Sequence, residues 1–222
     1  MKAAYLKAKN QFEIREVEVR EPEAGEVLVG VKACGFCGHD KILAGYAGEE
    51  WQPFGHEFAG VVEKVGHGVK NVQVGDRVVV ETSIFDPISD YARNGRPELD
   101  TKGPNYMTME HTGMGFAEKT IVPAILCVPF TDLEDREACF LEPMGVAADL
   151  ILTADIHLGQ DVLLMGCGAI GLMALQMAKA SGARNIYVAE HKANQKKIEL
   201  AKQFGATDVI LTDEMELTDY PL

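Results

Sequence analysis

Long apolar runs are absent from this 222-residue sequence. The longest apolar run, VLLMGCGAIGLMAL at residues 162–175, is too short for a transmembrane helix and contains three glycines. The N-terminal stretch MKAAYLKAKNQFEIRE becomes polar too early to hold the apolar segment of a signal peptide. We therefore expect a soluble protein with no membrane partner and a cytoplasmic location.

Basic residues are also scarce, with 21 Lys and Arg against 34 Asp and Glu, for a net charge of −13. No Lys/Arg cluster is large enough to form the basic face that nucleic acids or anionic membranes require. Cysteines number five, an odd count that does not suit a disulfide framework and fits a reducing compartment. We therefore expect the partner of this protein to be a small molecule.

Up to about residue 130, short valine-rich runs bounded by Gly, Asp and Pro predict β-strands. These runs are GEVLVGVKA (25–33), EFAGVVEKVG (57–66), VGDRVVVE (74–81) and GFAEKTIVP (115–123). Their spacing is typical of a small β-barrel or sandwich. A polar stretch without periodicity, residues 82–113, separates the last two runs, and loops of that length are usually functional or remnants of a structured element.

From residue 131 the pattern becomes helical and then alternates. Thr131 and Glu134 form a capping-box pattern that predicts a helix start, and Pro143 predicts a kink or break at Glu142. Residues 161–212 then alternate strand and helix as β-α-β-α-β, with Gly205 as a helix C-cap. Such an order predicts a parallel sheet with right-handed crossovers.

A glycine motif, GCGAIG, follows the first strand of this alternating region and opens its first helix. G-x-G-x-x-G in that context predicts a dinucleotide-binding turn, in which the helix N-terminus faces the phosphates. The candidate cofactor-binding residues of the motif are Gly166, Gly168, Ala169, Ile170 and Gly171.

The end of the next strand supplies a carboxylate, Glu190, 19 residues beyond Gly171. A carboxylate there accepts hydrogen bonds from ribose hydroxyls and repels a 2′-phosphate, which favours NAD over NADP. The nearby Lys192 weakens that preference.

The stretch ACGFCGHD, residues 33–40, supports three readings: a redox dithiol, half of a zinc knuckle, or one corner of a catalytic metal site. Further candidate ligands are His56 and Glu57 in FGHEFAG, and Glu142 in FLEP. Each of these residues alone also has an ordinary structural explanation, such as a buried thiol or a solvated His-Glu pair.

Several motifs together resemble the zinc-dependent medium-chain dehydrogenases, which include the alcohol, sorbitol and related polyol dehydrogenases. The shared motifs are GFCGHD, GHEFAGVVEKVG, VGDRVVVE, GFAEKTIVP, FLEP and GCGAIG, in the family's order and approximate spacing. The resemblance implies a GroES-like β domain over residues 1–150. It implies the N-terminal half of a Rossmann NAD-binding domain, a doubly wound parallel sheet, over residues 151–222.

The resemblance also implies a ligand set for one catalytic zinc ion. Cys37 and His56 would be ligands, and Glu57 would be a ligand or a carboxylate close to the metal. Glu142 stands where the polyol branch of the family has a glutamate. In this pattern Cys34 is not a ligand, so the Cys-x-x-Cys spacing is incidental.

Two neighbours of Cys37 are implied to be catalytic residues, together with Glu57. His39 departs from the Ser or Thr that the family usually carries as its proton relay, although an imidazole can also relay protons near neutral pH. Asp40 would orient a ligand or the loop.

A second, structural zinc site of the family is predicted to be lost in this chain. Its Cys-x2-Cys-x2-Cys-x7-Cys spacing falls here on Asp86, Ser89, Ala92 and Asp100. A closed tetrahedral site needs four ligands and alanine supplies none, so we expect packing and hydrogen bonds to hold this lobe.

The activity implied by the resemblance is hydride transfer from a secondary alcohol, a sugar or polyol, to NAD, with zinc as Lewis acid. Only 62 residues follow Gln160, too few for both halves of a dinucleotide fold. We therefore expect a truncated form of a longer dehydrogenase. Family members are commonly dimers or tetramers, so the resemblance implies a homo-oligomer for the full-length form.

Three alternatives stay open on the sequence. Zinc-free quinone or enoyl reductases share both domains but lack the Cys37, His56 and Glu57 donors. A truncated product could act instead as an inactive zinc-holding or partner-binding module. A thiol-redox role for Cys34 and Cys37 ranks last, because no thioredoxin-like βαβ pattern surrounds them.

Overall fold

The chain divides into two compact units, Met1–Glu142 and Pro143–Leu222. The computed structural model describes residues 1–82, 85–100 and 114–220. Much of the predicted 82–113 loop, residues 101–113, lies outside this range. The division falls eight positions before the boundary that the sequence analysis places at residue 150.

The first unit is mainly β-structure, with a five-stranded and a three-stranded sheet. Its strands are β1 (Lys2–Lys7), β2 (Gln11–Glu16), β3 (Glu26–Gly35), β4 (Gln52–Pro53), β5 (Glu57–Val65), β6 (Arg77–Val80), β7 (Lys119–Pro123) and β8 (Cys127–Pro129). The five-stranded sheet is antiparallel with the order β7-β3-β5-β6-β8, and the small sheet has the order β2-β1-β4. The four predicted valine-rich strands correspond to β3, β5, β6 and β7 of the large sheet, whereas its fifth strand β8, and β1, β2 and β4 of the small sheet, were not predicted.

The core of this unit lies against the large sheet and is built from the apolar residues of its strands. Val27 and Val29 of β3, Phe58 and Val62 of β5, and Val78 of β6 are almost fully buried in one cluster. Alternate residues of each strand contribute, because successive side chains of a strand point to opposite faces. The same pairing of β3 with β5 fixes the positions of the residues at the strand ends, where the candidate ligands lie.

Two short helices lie between these strands, α1 (Gly38–Ile42) and α2 (Asp90–Arg93), and a third, α3 (Asp135–Ala138), follows β8. The predicted helix start at Thr131 is wrong. The Thr131 hydroxyl bonds the side chain of Asp132, a residue with left-handed backbone (φ 60°), and α3 begins after Glu134. The capping box is made three residues later in the sequence, by Glu134 and Glu137. Four acidic side chains in this short stretch, those of Asp132, Glu134, Asp135 and Glu137, offered several possible caps.

Helix α4, Leu141–Thr153, runs through Pro143 without a break. The predicted break at Glu142 is therefore wrong by a few residues, since the chain leaves helix between α3 and α4, around Cys139 and Phe140. A proline in the first turn is tolerated because the N–H groups there have no partner within the helix. Glu142 consequently lies in the first turn of α4, at the end of the first unit.

The second unit contains the predicted β-α-β-α-β order. Its elements are β9 (Asp161–Met165), α5 (Ala169–Ala180), β10 (Asn185–Glu190), α6 (Gln195–Phe204) and β11 (Asp208–Leu211). The three strands are parallel in the order β11-β10-β9. Gly205 ends α6 in the left-handed conformation (φ 108°), as predicted. The expected fold class, a GroES-like β domain followed by part of a Rossmann fold, is confirmed.

Within the described ranges, no helix combines the length and the apolar character that crossing a bilayer requires.

Candidate metal centre and nucleotide turn

Cys37 is held at the start of α1 by reciprocal hydrogen bonds. Its Sγ accepts from the His39 backbone N–H at 3.4 Å, and its own N–H donates to Asp40 Oδ2 at 3.0 Å. This is a capping box with a thiol in place of the usual hydroxyl. The bonds fix the direction of the Cys37 side chain before any ligand binds.

His56 and Glu57 lie where the chain enters β5. Gly55 directly before them has a positive φ of 91°, which turns the chain into the strand. His56 is only 5% exposed, and Glu57 pairs with Gly35 across β3 and β5. The entry to β5 therefore lies beside the end of β3, only two residues before Cys37.

A sulfur, a nitrogen and an oxygen donor converge at this point. The ligand atoms of Cys37, His56 and Glu57 all lie within 4.8 Å of one another, the one such set of three among the described residues. The thiol, imidazole and carboxylate groups are the donors that zinc takes in proteins. The donor set thus fits a zinc ion, with room in a tetrahedral site for a further ligand.

Asp40 lies behind this set and is 1% exposed. Its Oδ2 accepts from the Cys37 N–H, and its Oδ1 is 3.8 Å from His56 Nδ1. A buried carboxylate in contact with two candidate ligands orients both of them.

Glu142 approaches the set but is not one of its three members. Burial raises the pKa of this carboxyl, which His56 partly offsets, and Glu57 and Asp40 add repulsion. Its Oε1 accepts from the Thr82 hydroxyl at 3.4 Å. The structure therefore places Glu142 within electrostatic reach of His56 and Glu57.

The Cys37 thiol is protonated at neutral pH in the metal-free site. Burial raises its pKa to about 11, the His39 N–H lowers it, and the nearby Glu57 carboxylate raises it again. A metal ion must therefore displace this proton to bind the sulfur.

His39 lies at the exposed side of the site. Its ring is 6.2 Å from that of His56, centroid to centroid, in an edge-to-face arrangement. The imidazole can thus reach both solvent and the neighbourhood of the candidate ligands.

The glycine motif forms a tight turn between β9 and α5. Gly166 takes a φ of 94°, and Gly168 is the N-cap of α5. Ala169, Ile170 and Gly171 form the first turn of that helix. A Cβ at Gly171 would lie closer than 3.0 Å to the carbonyl oxygen of Gly166, so this position requires glycine.

Glu190, at the end of β10, closes the other side of this turn and is 8% exposed. Its Oε2 accepts from the Cys167 N–H and thiol at 3.0 and 3.2 Å. Its Oε1 accepts from the His191 N–H and from Asn194 Nδ2 at 2.8 and 2.9 Å. Although burial raises the pKa of this carboxyl, these hydrogen bonds lower it to about 2, so Glu190 is ionised at neutral pH.

Comparison with known proteins gives the family of this chain. Residues 23–132 match the family model "Alcohol dehydrogenase GroES-like domain", and residues 169–220 match "Zinc-binding dehydrogenase". L-threonine 3-dehydrogenase of Xanthomonas oryzae is 35% identical over 216 residues, which cover 93% of this chain and 61% of that protein. The chain belongs to the zinc-dependent medium-chain dehydrogenases.

Solved structures give the same family. Galactitol-1-phosphate dehydrogenase of Escherichia coli has a TM-score of 0.89 at 27% identity, over 97% of this chain and 62% of that one. A protein described as a short chain alcohol dehydrogenase from E. coli CFT073, solved with NADH, has a TM-score of 0.87 at 30% identity, over 99% and 64%. This chain thus spans about three fifths of the length of the relatives it matches.

Hydrogen bonds hold the lobe of this chain in which other family members carry structural zinc. Asp100 Oδ2 accepts from the Asp86 N–H at 2.7 Å, and Ser89 Oγ accepts from the Ala92 N–H at 3.2 Å as the N-cap of α2. The three oxygen-bearing side chains at the four ligand positions therefore act as acceptors for backbone N–H groups, since Asp86 Oδ1 also accepts from Ile88. The absence of a structural zinc stays a prediction.

Four residues of the two sites were not predicted from the sequence. Thr82 bonds Glu142, Gly35 lies beneath Glu57, and Cys167 and Asn194 bond Glu190. Cys167 stands inside the glycine motif, so its N–H could have been expected to face the carboxylate. The other three depend on pairing and loop geometry, for which the sequence contains no signal.

Glu190→Gln is expected to destabilise the second unit at neutral pH, because the new amide cannot accept from every donor that faces it. The folded pKa of about 2 lies below the ordinary 4.5, so the carboxylate stabilises the fold above about pH 4.5. This contribution is lost as the pH falls towards 2. Urea unfolding at several pH values measures the effect.

The matched control for this prediction is Glu199→Gln, at an exposed position of α6. A difference in unfolding free energy between Glu190→Gln and wild type that stays constant from pH 7 to pH 2 would contradict the assigned role of the carboxylate.

Proposed function

We propose that this chain is part of an enzyme that oxidises a secondary alcohol, a sugar or polyol, with zinc and NAD. The observation that carries the proposal is the convergence of the Cys37, His56 and Glu57 donor atoms within 4.8 Å. Zinc-free reductases of the same fold would have no need for this donor set. The glycine turn with its ionised carboxylate at Glu190 supports the cofactor part of the proposal.

Cys37, His56 and Glu57 would hold the zinc ion, and Asp40 would orient Cys37 and His56 through its two oxygens. When bound, zinc would supply a Lewis acid for the substrate hydroxyl, and NAD the hydride acceptor. The chain's own part is to orient the ligands and to carry charge. The Glu57 ligand and the nearby Glu142 add negative charge to the site, which suits a site that exchanges its fourth ligand.

His39 is the candidate for moving the substrate proton to solvent. It stands two residues after Cys37, and its ring is close to that of His56 while its position is exposed. An imidazole has two ring nitrogens, so it can accept a proton at one and donate a proton from the other.

NAD is favoured over NADP by two features of the second unit. The Glu190 carboxylate is ionised and would repel a 2′-phosphate. Lys192, the cation that could attract that phosphate, makes an ion pair with Glu214, and its N–H bonds Asp213. The sequence suggested that Lys192 weakens the preference for NAD, and its pairing argues that this effect is small.

The substrate class rests on the charge of the site and on the relatives. L-threonine and galactitol 1-phosphate, after which two of the relatives are named, each carry a hydroxyl group beside other polar groups. We propose a secondary alcohol with neighbouring hydroxyl groups for this protein, which a hydroxyl-rich sugar or polyol provides.

Metal analysis together with nucleotide titration tests the proposal. We expect one zinc per chain by inductively coupled plasma mass spectrometry. By calorimetry, we expect the affinity for NAD to be at least about tenfold higher than that for NADP, because repulsion of one charge accounts for such a factor. Zinc without NAD affinity would favour an inactive zinc-holding module, and NAD without zinc would favour a reductase. Two zinc atoms per chain would contradict the loss of the structural site.

A further inference from the structure

Gly35, the last residue of β3, lies directly beneath the Glu57 side chain. The two residues are cross-strand partners in the β3–β5 register. A Cβ built on Gly35 would lie closer than 3.0 Å to Glu57 Oε2 and 3.2 Å from Glu57 Cβ. The Glu57 carboxylate thus occupies the space that any other residue at position 35 would fill.

The backbone itself does not require glycine at this position. Gly35 is not among the residues with positive φ, and it continues a regular strand. The reason for the missing side chain is therefore the carboxylate above it. That carboxylate reaches the Cys37 thiol, which lies two residues further along the chain.

We propose that Gly35 is a positioning residue for the metal centre: its missing Cβ lets the Glu57 carboxylate fold across the end of β3 to the Cys37 and His56 donors. The inference rests on the proposed zinc site and adds a determinant of its geometry. Glu57 could otherwise extend away from the strand, and the set would then lose its oxygen donor.

Gly35→Ala is expected to displace the carboxylate without unfolding the chain. The oxygen must retreat by roughly 1 Å to reach ordinary van der Waals contact with a methyl group. Zinc–oxygen bonds tolerate only about 0.2 Å, so such a shift removes or weakens the ligand. We expect zinc affinity to fall about 10- to 100-fold, the range found when groups that orient metal ligands are lost.

The same strand provides a matched control, Gly30. A Cβ there would lie closer than 3.0 Å to Oε1 of Glu63, a β5 residue whose carboxylate accepts from Lys119 Nζ at 2.5 Å. Gly30→Ala therefore makes the same kind of substitution against the same kind of side chain, away from Cys37 and His56. Its zinc affinity is expected to stay within about twofold of wild type, because no ligand moves.

A double-mutant cycle separates an effect through Glu57 from a general disturbance of the strand. If Gly35 acts only by admitting the carboxylate, Gly35→Ala should cost no further zinc affinity once Glu57→Ala has removed that carboxylate. Competition between each chain and a chromophoric zinc chelator measures the affinities. Circular dichroism during heating shows whether each variant folds.

Each outcome decides the proposal. A loss specific to Gly35→Ala that disappears in the Glu57→Ala background supports it. Equal zinc affinities for wild type and Gly35→Ala, additive losses in the cycle, or failure of Gly35→Ala to fold while Gly30→Ala folds would overturn it. A wild-type chain that binds no zinc would instead overturn the proposed function on which the inference rests.

Discussion

Cys37→Ser is expected to lower zinc affinity by more than about 100-fold while leaving the fold intact, because losing a ligand costs more than losing a group that orients one. Serine is a favoured N-cap residue, so its hydroxyl can accept from the His39 N–H in place of the thiol. The variant therefore keeps the local hydrogen bonds and removes only the sulfur donor. Chelator competition measures the affinity, and thermal unfolding reports the fold.

Cys34→Ser is the matched control for this prediction. The Cys34 thiol donates to the Gly35 carbonyl oxygen at 3.2 Å, a bond that a serine hydroxyl can also make, and Cys34 is not in the donor set. Its zinc affinity should match that of wild type. Loss of zinc in Cys34→Ser but not in Cys37→Ser would contradict this assignment, because it would show that Cys34 is the zinc ligand.

Gly171→Ala is expected to destabilise the second unit by about 1–3 kcal/mol, the usual cost of an added methyl group in a tightly packed site. The new Cβ would lie closer than 3.0 Å to the Gly166 carbonyl oxygen, and backbone cannot move aside as a flexible side chain can. Because Gly166 forms the turn, NAD affinity should fall as well. Urea unfolding and calorimetric titration measure the two effects.

Gly168→Ala separates nucleotide binding from folding in the same turn. Gly168 has a φ of −67°, which alanine adopts readily, and nothing lies within 4 Å of its Cβ position. Stability should therefore change by less than about 1 kcal/mol, a weaker helix cap included. NAD affinity should still fall, because the methyl group occupies the space through which the pyrophosphate approaches. Unchanged NAD affinity in Gly168→Ala would contradict the assignment of the turn.

The nucleotide turn could be predicted from the sequence because its parts are local. Gly166, Gly168 and Gly171 are close together in the chain, and the strand before them and the helix after them have clear periodicity. The network around Glu190 was only partly predictable. Its partner Asn194 comes from a loop whose geometry depends on how β10 ends.

The metal centre was predictable as a set of residue types but not as a geometry. Cys37 and His56 come together because β3 pairs with β5 in one register, which contains irregularities near Leu28 and Val31. A one-residue slip would move Glu57 to the other face of the sheet. No pattern in the sequence fixes that register. The position of Gly35 beneath Glu57 and the position of Glu142 outside the three-donor set therefore could not be predicted.

The first hairpin shows a signal that was present and overlooked. Strands β1 and β2 are joined by a short loop in which Lys9 and Asn10 have positive φ values of 66° and 55°. Asparagine adopts this conformation more readily than most residues and marks tight hairpin turns. Strand β2 was not predicted because Gln11–Glu16 is largely exposed and lacks a buried face.

X-ray absorption at the zinc K edge of the zinc-loaded wild-type chain tests the central claim, that Cys37, His56 and Glu57 bind one ion together. We expect one sulfur at about 2.3 Å and nitrogen or oxygen ligands at about 2.0–2.2 Å, with one zinc per chain. A spectrum without sulfur, or with two or more sulfur ligands per zinc, would contradict the claim.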